Sequence, residues 1–271
     1  MKHGIICPIP FLKEFATKSN FHLILPHLVK FHPEYKAFYK ECAEKGDFVL
    51  LDNSIFELGY SLDKRELLEI AEDVHASEVV APEVWHNKKE TIKLVEDFIQ
   101  YHQKQKSNIR ILAMATGETE GEIIESFFYY NTHPNIDSLG LPFTLDYEIT
   151  GVSNNVKSLT LRRVLNRWSL VEKISAYASA SNQTIKPTHL MGLSDALELQ
   201  RYKGVRYYWV RSNDSSTAFV HGFNEVYYTD KGLPGEKIKQ KLDFNGYRDI
   251  GLTISQKSCI QYNIDKILSW I

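Results

Sequence analysis

The chain has 271 residues, of which 43% are hydrophobic and 24% charged, and its formal net charge at pH 7 is −2. This composition is ordinary for a globular enzyme and argues against disorder, while the small net charge means that a nucleic-acid partner would have to be bound by a local patch. No apolar run approaches the roughly 20 residues of a membrane helix, and the first residues lack the apolar segment of a secretory signal. We therefore expect a cytoplasmic protein with no membrane partner.

Short apolar runs that end in polar residues recur along the chain, and most are followed by a segment with helical spacing of its apolar residues. The runs that predict strands are, in chain order, 21–27, 48–51, 77–81, 109–115, 138–142, 189–192 and 206–214. A strand followed by a helix about every 30 residues is typical of βα units around a parallel sheet. Because the repeat continues without a second core, the sequence predicts one domain over 1–271, an α/β protein with a (β/α)8 TIM-type barrel.

Helix signals fit this repeat. Pro33 and Gly46 bracket a helical stretch, Asp63 with Glu66 forms a predicted capping box, and a helix is predicted over 88–102. After the last strand the chain is predicted to carry an extension, first a loop or β-hairpin over 217–232 and then an amphipathic helix near the end.

The three cysteines, Cys7, Cys42 and Cys259, are far apart and form no CxxC pair, and the histidines show no recurring ligand spacing. Neither a disulfide framework nor a cysteine zinc site follows from such a pattern. We expect free buried thiols and no metal.

Three acids, Asp52, Glu83 and Asp214, follow three of the predicted strands. In a barrel the carboxyl ends of the strands converge on one mouth, so these side chains are expected to surround one pocket. Two carboxylates that face a sugar can divide glycosidic exchange, one as nucleophile and one as proton carrier. The structural alternative is that Asp52 and Asp214 only cap the next helices.

A run of cations, Lys157, Arg162, Arg163 and Arg167, spans about three helical turns and follows a polar stretch at 150–155. Such a run is usually a solvated helix face, but its composition also suits a segment that grips phosphates. His189 at the start of a strand is more often a core histidine than a catalytic group.

The order of several short motifs resembles that of the tRNA-guanine transglycosylases over about residues 20–220. The segment His-Leu-Met-Gly-Leu at 189–193, followed by a helix and then a strand that ends at Asp214, is similar to the family's Leu-Met-Gly segment and its catalytic strand. Asp52 is similar to the family's other catalytic aspartate and Glu83 to the acid that binds the heterocycle. Gly140-Leu141 is similar to the segment whose backbone contacts the base.

The resemblance implies a base-exchanging glycosyltransferase that needs no cofactor. Asp214 would attack C1′ of a guanosine nucleotide, and Asp52 would carry the proton. The base would be bound by side chains and backbone groups of Glu83, Asn53, Gly140, Leu141, His189 and Gly192, with Phe56 or Trp85 stacking on it. The target nucleotide would be flipped out, and its flanking phosphates would be held by Arg162, Arg163, Arg167 and Arg211.

The sequence departs from the family pattern at several positions, and these departures bear on which polynucleotide is the expected substrate. Asn53 and Ser54 replace the glycines after the first aspartate, the strand ending near Ala115-Thr116 lacks the expected glutamine, and the carboxyl-terminal zinc site is missing. The chain is in this respect more similar to phage- and island-associated relatives that insert 7-deazaguanines, such as 7-cyano-7-deazaguanine, into DNA. DNA is therefore expected rather than tRNA. Two alternatives remain, a barrel enzyme that uses the same acids on a small molecule and a non-catalytic nucleic-acid-binding barrel.

Overall fold

The computed structural model describes residues 1–146, 156–240, 242–245, 247 and 251–271. Eight parallel strands form one sheet in the order β1-β8-β7-β6-β5-β4-β3-β2. This order and direction confirm the predicted (β/α)8 fold class. The strands are β1 (Lys2–Ile5), β2 (Phe21–Ile24), β3 (Phe48–Leu51), β4 (Glu78–Val80), β5 (Arg110–Met114), β6 (Ser138–Leu141), β7 (Thr188–Leu190) and β8 (Val210–Ser215).

Helices separate most of the strands. They are α1 (Leu12–Phe15), α2 (Pro26–Phe31), α3 (Pro33–Glu44), α4 (Ile55–Leu58), α5 (Lys64–Asp73), α6 (Lys88–Gln105), α7 (Glu120–Thr132), α8 (Leu159–Ala180), α9 (Thr217–Phe223) and α10 (Ile254–Ser269). The helix start at Pro33 is confirmed, and Asp63 caps α5 by accepting a hydrogen bond from the Arg65 N–H. Over the described residues, every helix falls short of the length or the apolarity that crossing a membrane requires.

The described residues divide into two compact units. The first unit comprises Met1–Asn20, Phe143–Ser181 and Leu190–Ile271, and the second comprises Phe21–Pro142 and Asn182–His189. In the second unit, Phe21 and Phe48 are paired in register on β2 and β3, and their rings stack with centroids 5.3 Å apart. The ring of His189, on β7, stacks on Phe21 with centroids 5.5 Å apart, and the three buried or partly buried rings form part of the core.

Two strands differ from the sequence-based expectation. The first strand is β1, not the run at 21–27, because Lys2–Ile5 is short and half polar and carries almost no hydrophobic signal. β8 begins at Val210 rather than at 206, since Val205–Tyr207 form a 3₁₀ helix. Asp214 is consequently the last residue but one of β8, where it is paired in register with Gly4 of β1.

The extension after β8 is helical at first, so the predicted loop or hairpin over 217–232 is wrong for its first half. Helix α9 packs on α10 within the first unit. A Cβ on Gly222 would lie 2.5 Å from the Cα of Ile260, so glycine at this position permits the two helix backbones to approach closely. Gly222 is therefore a helix-packing residue. Helix α10, which corresponds to the amphipathic helix predicted near the end, begins at Ile254 after a capping box formed by Thr253 and Gln256.

Candidate functional site

In the second unit, the carboxyl ends of β3 and β4 are joined by one buried amide. The Nδ2 of Asn53 donates hydrogen bonds to the carbonyl oxygen of Ala81 at 3.1 Å and to Oε1 of Glu83 at 3.2 Å. Its Oδ1 accepts a hydrogen bond of 3.0 Å from the N–H of Ile55. Asn53 thus fixes the loop after β3 and orients the carboxyl group of Glu83.

Glu83 is buried, with 7% of its surface exposed. Burial raises the pKa of its carboxyl group from 4.5 to about 7; the hydrogen bond from Asn53 lowers it and the charge of Asp52 raises it further. The Ser61 hydroxyl donates to the backbone carbonyl of Glu83 and accepts from its N–H, both at 2.9 Å. A rigidly held carboxyl group that titrates near neutrality is typical of functional sites.

Asp52 is also buried, and its Oδ2 accepts a hydrogen bond of 3.2 Å from the N–H of Ser54. Ser54 has φ 63°, a left-handed conformation that is unfavourable for a side-chain-bearing residue. Its Oγ lies 2.8 Å from Nδ1 of His27, and this hydrogen bond helps to hold the turn. The backbone at Ser54 therefore has a conformation that glycine adopts more easily than other residues.

Exposed aromatic side chains lie beside this group in the second unit. Phe56, Tyr60 and Trp85 are 49%, 60% and 44% exposed, and the rings of Phe56 and Trp85 are 6.1 Å apart. Tyr60, Trp85 and Glu83 line a cleft of about 380 Å³, a volume within the usual range for small-molecule sites. Exposed aromatic rings beside an oriented carboxyl group can bind a flat heterocycle that carries N–H donors.

In the first unit, Asp214 is buried on β8, with 5% of its surface exposed. Its Oδ1 accepts a hydrogen bond of 2.8 Å from the backbone N–H of Gly192. Gly192 has φ 60°, and a Cβ there would lie 2.6 Å from the ring of Phe143, so this position requires glycine. The contact joins two of the motifs that carry the family resemblance.

Arg167 holds the segment that contains Gly192. Its guanidinium group donates to Oε1 of Glu198 at 2.8 Å and to the carbonyl oxygens of Met191 and Gly192 at 2.9 and 2.8 Å. The side chains of both members of the ion pair are almost fully buried. Arg167 was predicted to contact a phosphate, but the structure gives it this internal role, because its donors face buried acceptors and not the surface.

The other predicted phosphate-binding arginines also belong to the first unit. Arg163 pairs with the carboxylate of Asp146 and lies over the Phe143 ring at 5.7 Å. Arg162 is partly buried, and its Nε has no hydrogen-bond partner among the described residues. Arg211 on β8 donates to the Ser212 hydroxyl at 3.5 Å. Their contact with nucleic acid stays a prediction, and the polar stretch at 150–155 lies outside the described residues.

Lys237 is a further cation near Arg163, Arg167 and Asp214, and the sequence analysis did not single it out. Its ammonium group donates to the carbonyl oxygen of Leu193 and lies 4.6 Å over the Phe143 ring. Burial lowers its pKa from 10.5 to about 8, Arg167 and Arg163 lower it further, and the charges of Asp214 and Glu198 oppose the shift. In the sequence, Lys237 is one of several lysines after a turn, and nothing local distinguishes it from Lys239.

Three residues predicted to bind the base lie in the core of the second unit. A Cβ on Gly140 would meet the side chain of Met114, which would have to move to admit it. Leu141 and His189 are completely buried, and His189 stacks on Phe21 as described above. The contact of these residues with a base stays a prediction.

Among the described residues, one group has donor atoms close enough to hold a metal ion. His22, Cys42 and Asp47, in the second unit, have ligand atoms within 4.8 Å of one another. Nε2 of His22 is hydrogen-bonded to Asp47 at 3.1 Å, and Nδ1 is buried without a partner among the described residues. If Nε2 bound a metal, the proton on Nδ1 would be left buried and unsatisfied, whereas metal-bound histidines almost always donate from their second nitrogen. We therefore interpret the group as a hydrogen-bonded part of the core.

No protein-family model matches the chain, and no curated protein matches it either. The likeness to the tRNA-guanine transglycosylases rests on the order of motifs in the sequence.

Proposed function

We propose that the protein is a base-exchange glycosyltransferase that replaces guanine in a polynucleotide, DNA rather than tRNA, with a 7-deazaguanine. Asp214 attacks C1′ of the target guanosine nucleotide, the bond from C1′ to N9 breaks, and an aspartyl-sugar ester forms. Asp52 gives the departing guanine a proton. The incoming 7-deazaguanine then loses its N9 proton to Asp52 and attacks C1′, which releases Asp214.

The observation that carries the proposal is the hydrogen bond of 2.8 Å between the Gly192 N–H and Asp214. These residues belong to two separate motifs of the resemblance, and their contact is what a shared catalytic role requires. The bond fixes the direction of the Asp214 carboxylate. An oriented nucleophile lowers the entropic part of the barrier.

The environment of Glu83 supports a guanine-like base as the ligand. The N1–H and the exocyclic amino group of guanine are adjacent donors, and a carboxylate can accept from both. A 7-deazaguanine differs at ring position 7 and keeps this edge, so both exchange partners could use Glu83. The exposed ring of Trp85 and the cleft of about 380 Å³ beside it could hold the heterocycle by stacking.

The test is to incubate the full chain with guanine-containing DNA or with tRNA, together with 7-cyano-7-deazaguanine, and to search for a denaturation-resistant protein adduct. We expect adduct with DNA, loss of adduct with Asp214→Ala, and unchanged adduct with Asp265→Asn, which alters an exposed acid. If DNA and tRNA that carry labelled guanine release none of it when incubated with the protein, the proposal is contradicted.

A second candidate is the same chemistry on a small nucleotide or another small sugar derivative. It is favoured by the state of two predicted phosphate-binding residues, since Arg167 is buried against Glu198 and Arg163 is paired with Asp146. A mononucleotide arm in the same assay separates the two candidates. Exchange on the mononucleotide that equals or exceeds exchange on DNA would favour the small-molecule reaction.

A further inference from the structure

Lys237 reaches the interior of the first unit from a segment that is anchored at two points. The carboxylate of Glu236 accepts hydrogen bonds from the N–H and the hydroxyl of Thr160, at 3.1 and 2.7 Å, in the first turn of α8. The hydroxyl oxygen of Thr160 accepts in turn from the N–H of Lys237 at 2.9 Å. Earlier in the segment, Oδ2 of Asp195 accepts from the N–H of Leu233 at 2.9 Å. The direction of the Lys237 side chain is therefore fixed by its own backbone contacts.

The ammonium group of Lys237 ends beside the segment that orients Asp214. It donates to the carbonyl oxygen of Leu193, and the preceding residue, Gly192, donates its N–H to Asp214. The carbonyl oxygens of Met191 and Gly192 are held by Arg167. The two cations thus hold three consecutive carbonyl groups, and the intervening N–H is directed at the carboxylate.

Lys237 lies among charges of both signs, and Asp195 acts on Glu198 within the same group. Arg163 pairs with Asp146, and Arg167 pairs with Glu198. The third cation is Lys237, and the carboxylate of Asp214 is within electrostatic reach of it. A buried charge that loses its countercharge is strongly destabilised.

Formation of an ester on Asp214 would change these charges. The carboxylate carries one negative charge before attack on C1′ and none afterwards. Lys237 would then be a partly buried ammonium group near Arg163 and Arg167, with one opposing charge fewer. An anionic group of the substrate could replace that charge, and the nearest anion to C1′ in any nucleotide is a phosphate on the same sugar.

We propose that Lys237 is a positioning residue for Asp214 and, after the attack, the binding site for a phosphate of the nucleotide that Asp214 holds. The inference rests on the proposed function and specifies its substrate as a phosphate-bearing nucleotide unit, not a free nucleoside. The other titratable and charged groups that act on Lys237 or are affected by it are Arg163 and Arg167 on α8, Glu198 on its 3₁₀ helix, and His221 on α9.

The first arm of the test needs no activity. The Lys237 side chain is observed by NMR in protein labelled with ¹³C and ¹⁵N at lysine, assigned with Lys237→Arg, and titrated with pH in the wild type and in Asp214→Asn. We expect the pKa of Lys237 to fall in the variant, because the charge of Asp214 raises it. An unchanged pKa overturns the inference.

The second arm uses the adduct assay with Lys237→Met, Lys237→Arg and the control Lys239→Met. We expect adduct formation on DNA to slow by about a hundredfold in Lys237→Met, to be partly retained in Lys237→Arg and to be unchanged in the control. With deoxyguanosine as substrate, which has no phosphate, Lys237→Met should lose much less relative to the wild type. Thermal unfolding verifies that each variant is folded.

The outcomes separate the two proposals. A wild-type protein that forms no adduct with any substrate contradicts the proposed function. A wild-type protein that forms adduct, with Lys237→Met equally fast on DNA, contradicts the inference about Lys237 and leaves the proposed function intact. Equal loss on DNA and on deoxyguanosine contradicts the assignment of a phosphate.

Discussion

The backbone N–H of Gly192 and Oδ1 of Asp214 are joined by a hydrogen bond of 2.8 Å. The donor lies just after β7 and the acceptor near the end of β8, so the bond fixes the carboxylate relative to the adjoining loop. Arg167 holds the carbonyl oxygens of Met191 and Gly192, and Lys237 holds that of Leu193. The geometry of Asp214 therefore depends on residues that are distant in sequence from it.

Replacement of Gly192 by alanine should disturb this bond. The added Cβ would meet the Phe143 ring at 2.6 Å, and the left-handed backbone at φ 60° disfavours alanine. We expect a loss of about 2–4 kcal/mol in the free energy of unfolding, measured with urea. The control is Gly235→Ala, where a Cβ meets nothing within 4 Å, and it should change stability by about 0.5 kcal/mol or less. Equal effects of the two changes would contradict the steric account.

Glu83 should make the stability of the protein depend on pH. Its pKa is about 7 in the folded protein and near 4.5 when unfolded, so the folded state binds the extra proton between these values. Stability from this group is complete below pH 4.5 and is lost as the pH rises towards 7. Denaturant unfolding from pH 5 to 7 should show this decline, about 3 kcal/mol at the upper limit. Glu83→Gln should flatten the decline, and a slope that Glu83→Gln leaves unchanged would assign it to other groups.

Replacing one member of the Arg167–Glu198 ion pair should lower the free energy of unfolding much more than replacing both members together. Arg167→Met leaves Glu198 buried without its partner and should lower the free energy of unfolding by about 3–5 kcal/mol. The double variant Arg167→Met with Glu198→Met should recover much of that loss, since no charge then remains unpaired. The exposed pair of Arg65 and Glu69 supplies the control, and Arg65→Met should leave the free energy of unfolding almost unchanged. A double variant no better than Arg167→Met alone would contradict this explanation.

At position 54, glycine should give a more stable protein than alanine, which is the reverse of their usual order inside a helix. Both replacements lose the hydrogen bond to His27, but only glycine relieves the left-handed backbone at φ 63°. Ser54→Gly is therefore expected to be about 1 kcal/mol more stable than Ser54→Ala in chemical denaturation. The same pair of changes at Ser179, inside α8, should give the opposite order by a similar amount. If Ser54→Ala is as stable as Ser54→Gly or more stable, the turn after Asp52 is not strained.

The strand and helix repeat was predictable because it is a local signal. A run such as Phe48–Leu51 is apolar at every position, as a strand buried on both faces must be, and the acids that follow such runs fall at one edge of a parallel sheet. The same reasoning failed for β1, whose four residues include Lys2 and His3. It also failed for α9, where Gly222 permits close helix packing and does not mark a turn.

By itself the sequence determined the fold class and the candidate acids Asp52, Glu83 and Asp214, because hydrophobic periodicity and strand ends are properties of consecutive residues. Only the tertiary structure decided that Arg167 points inwards to Glu198, that Asn53 joins Glu83, and that Lys237 lies beside the segment holding Asp214. Those contacts depend on side-chain direction and on the meeting of segments that are far apart in the chain. A charged residue on a helix has the same local sequence whether it faces solvent or a buried carboxylate, and only packing separates the two cases.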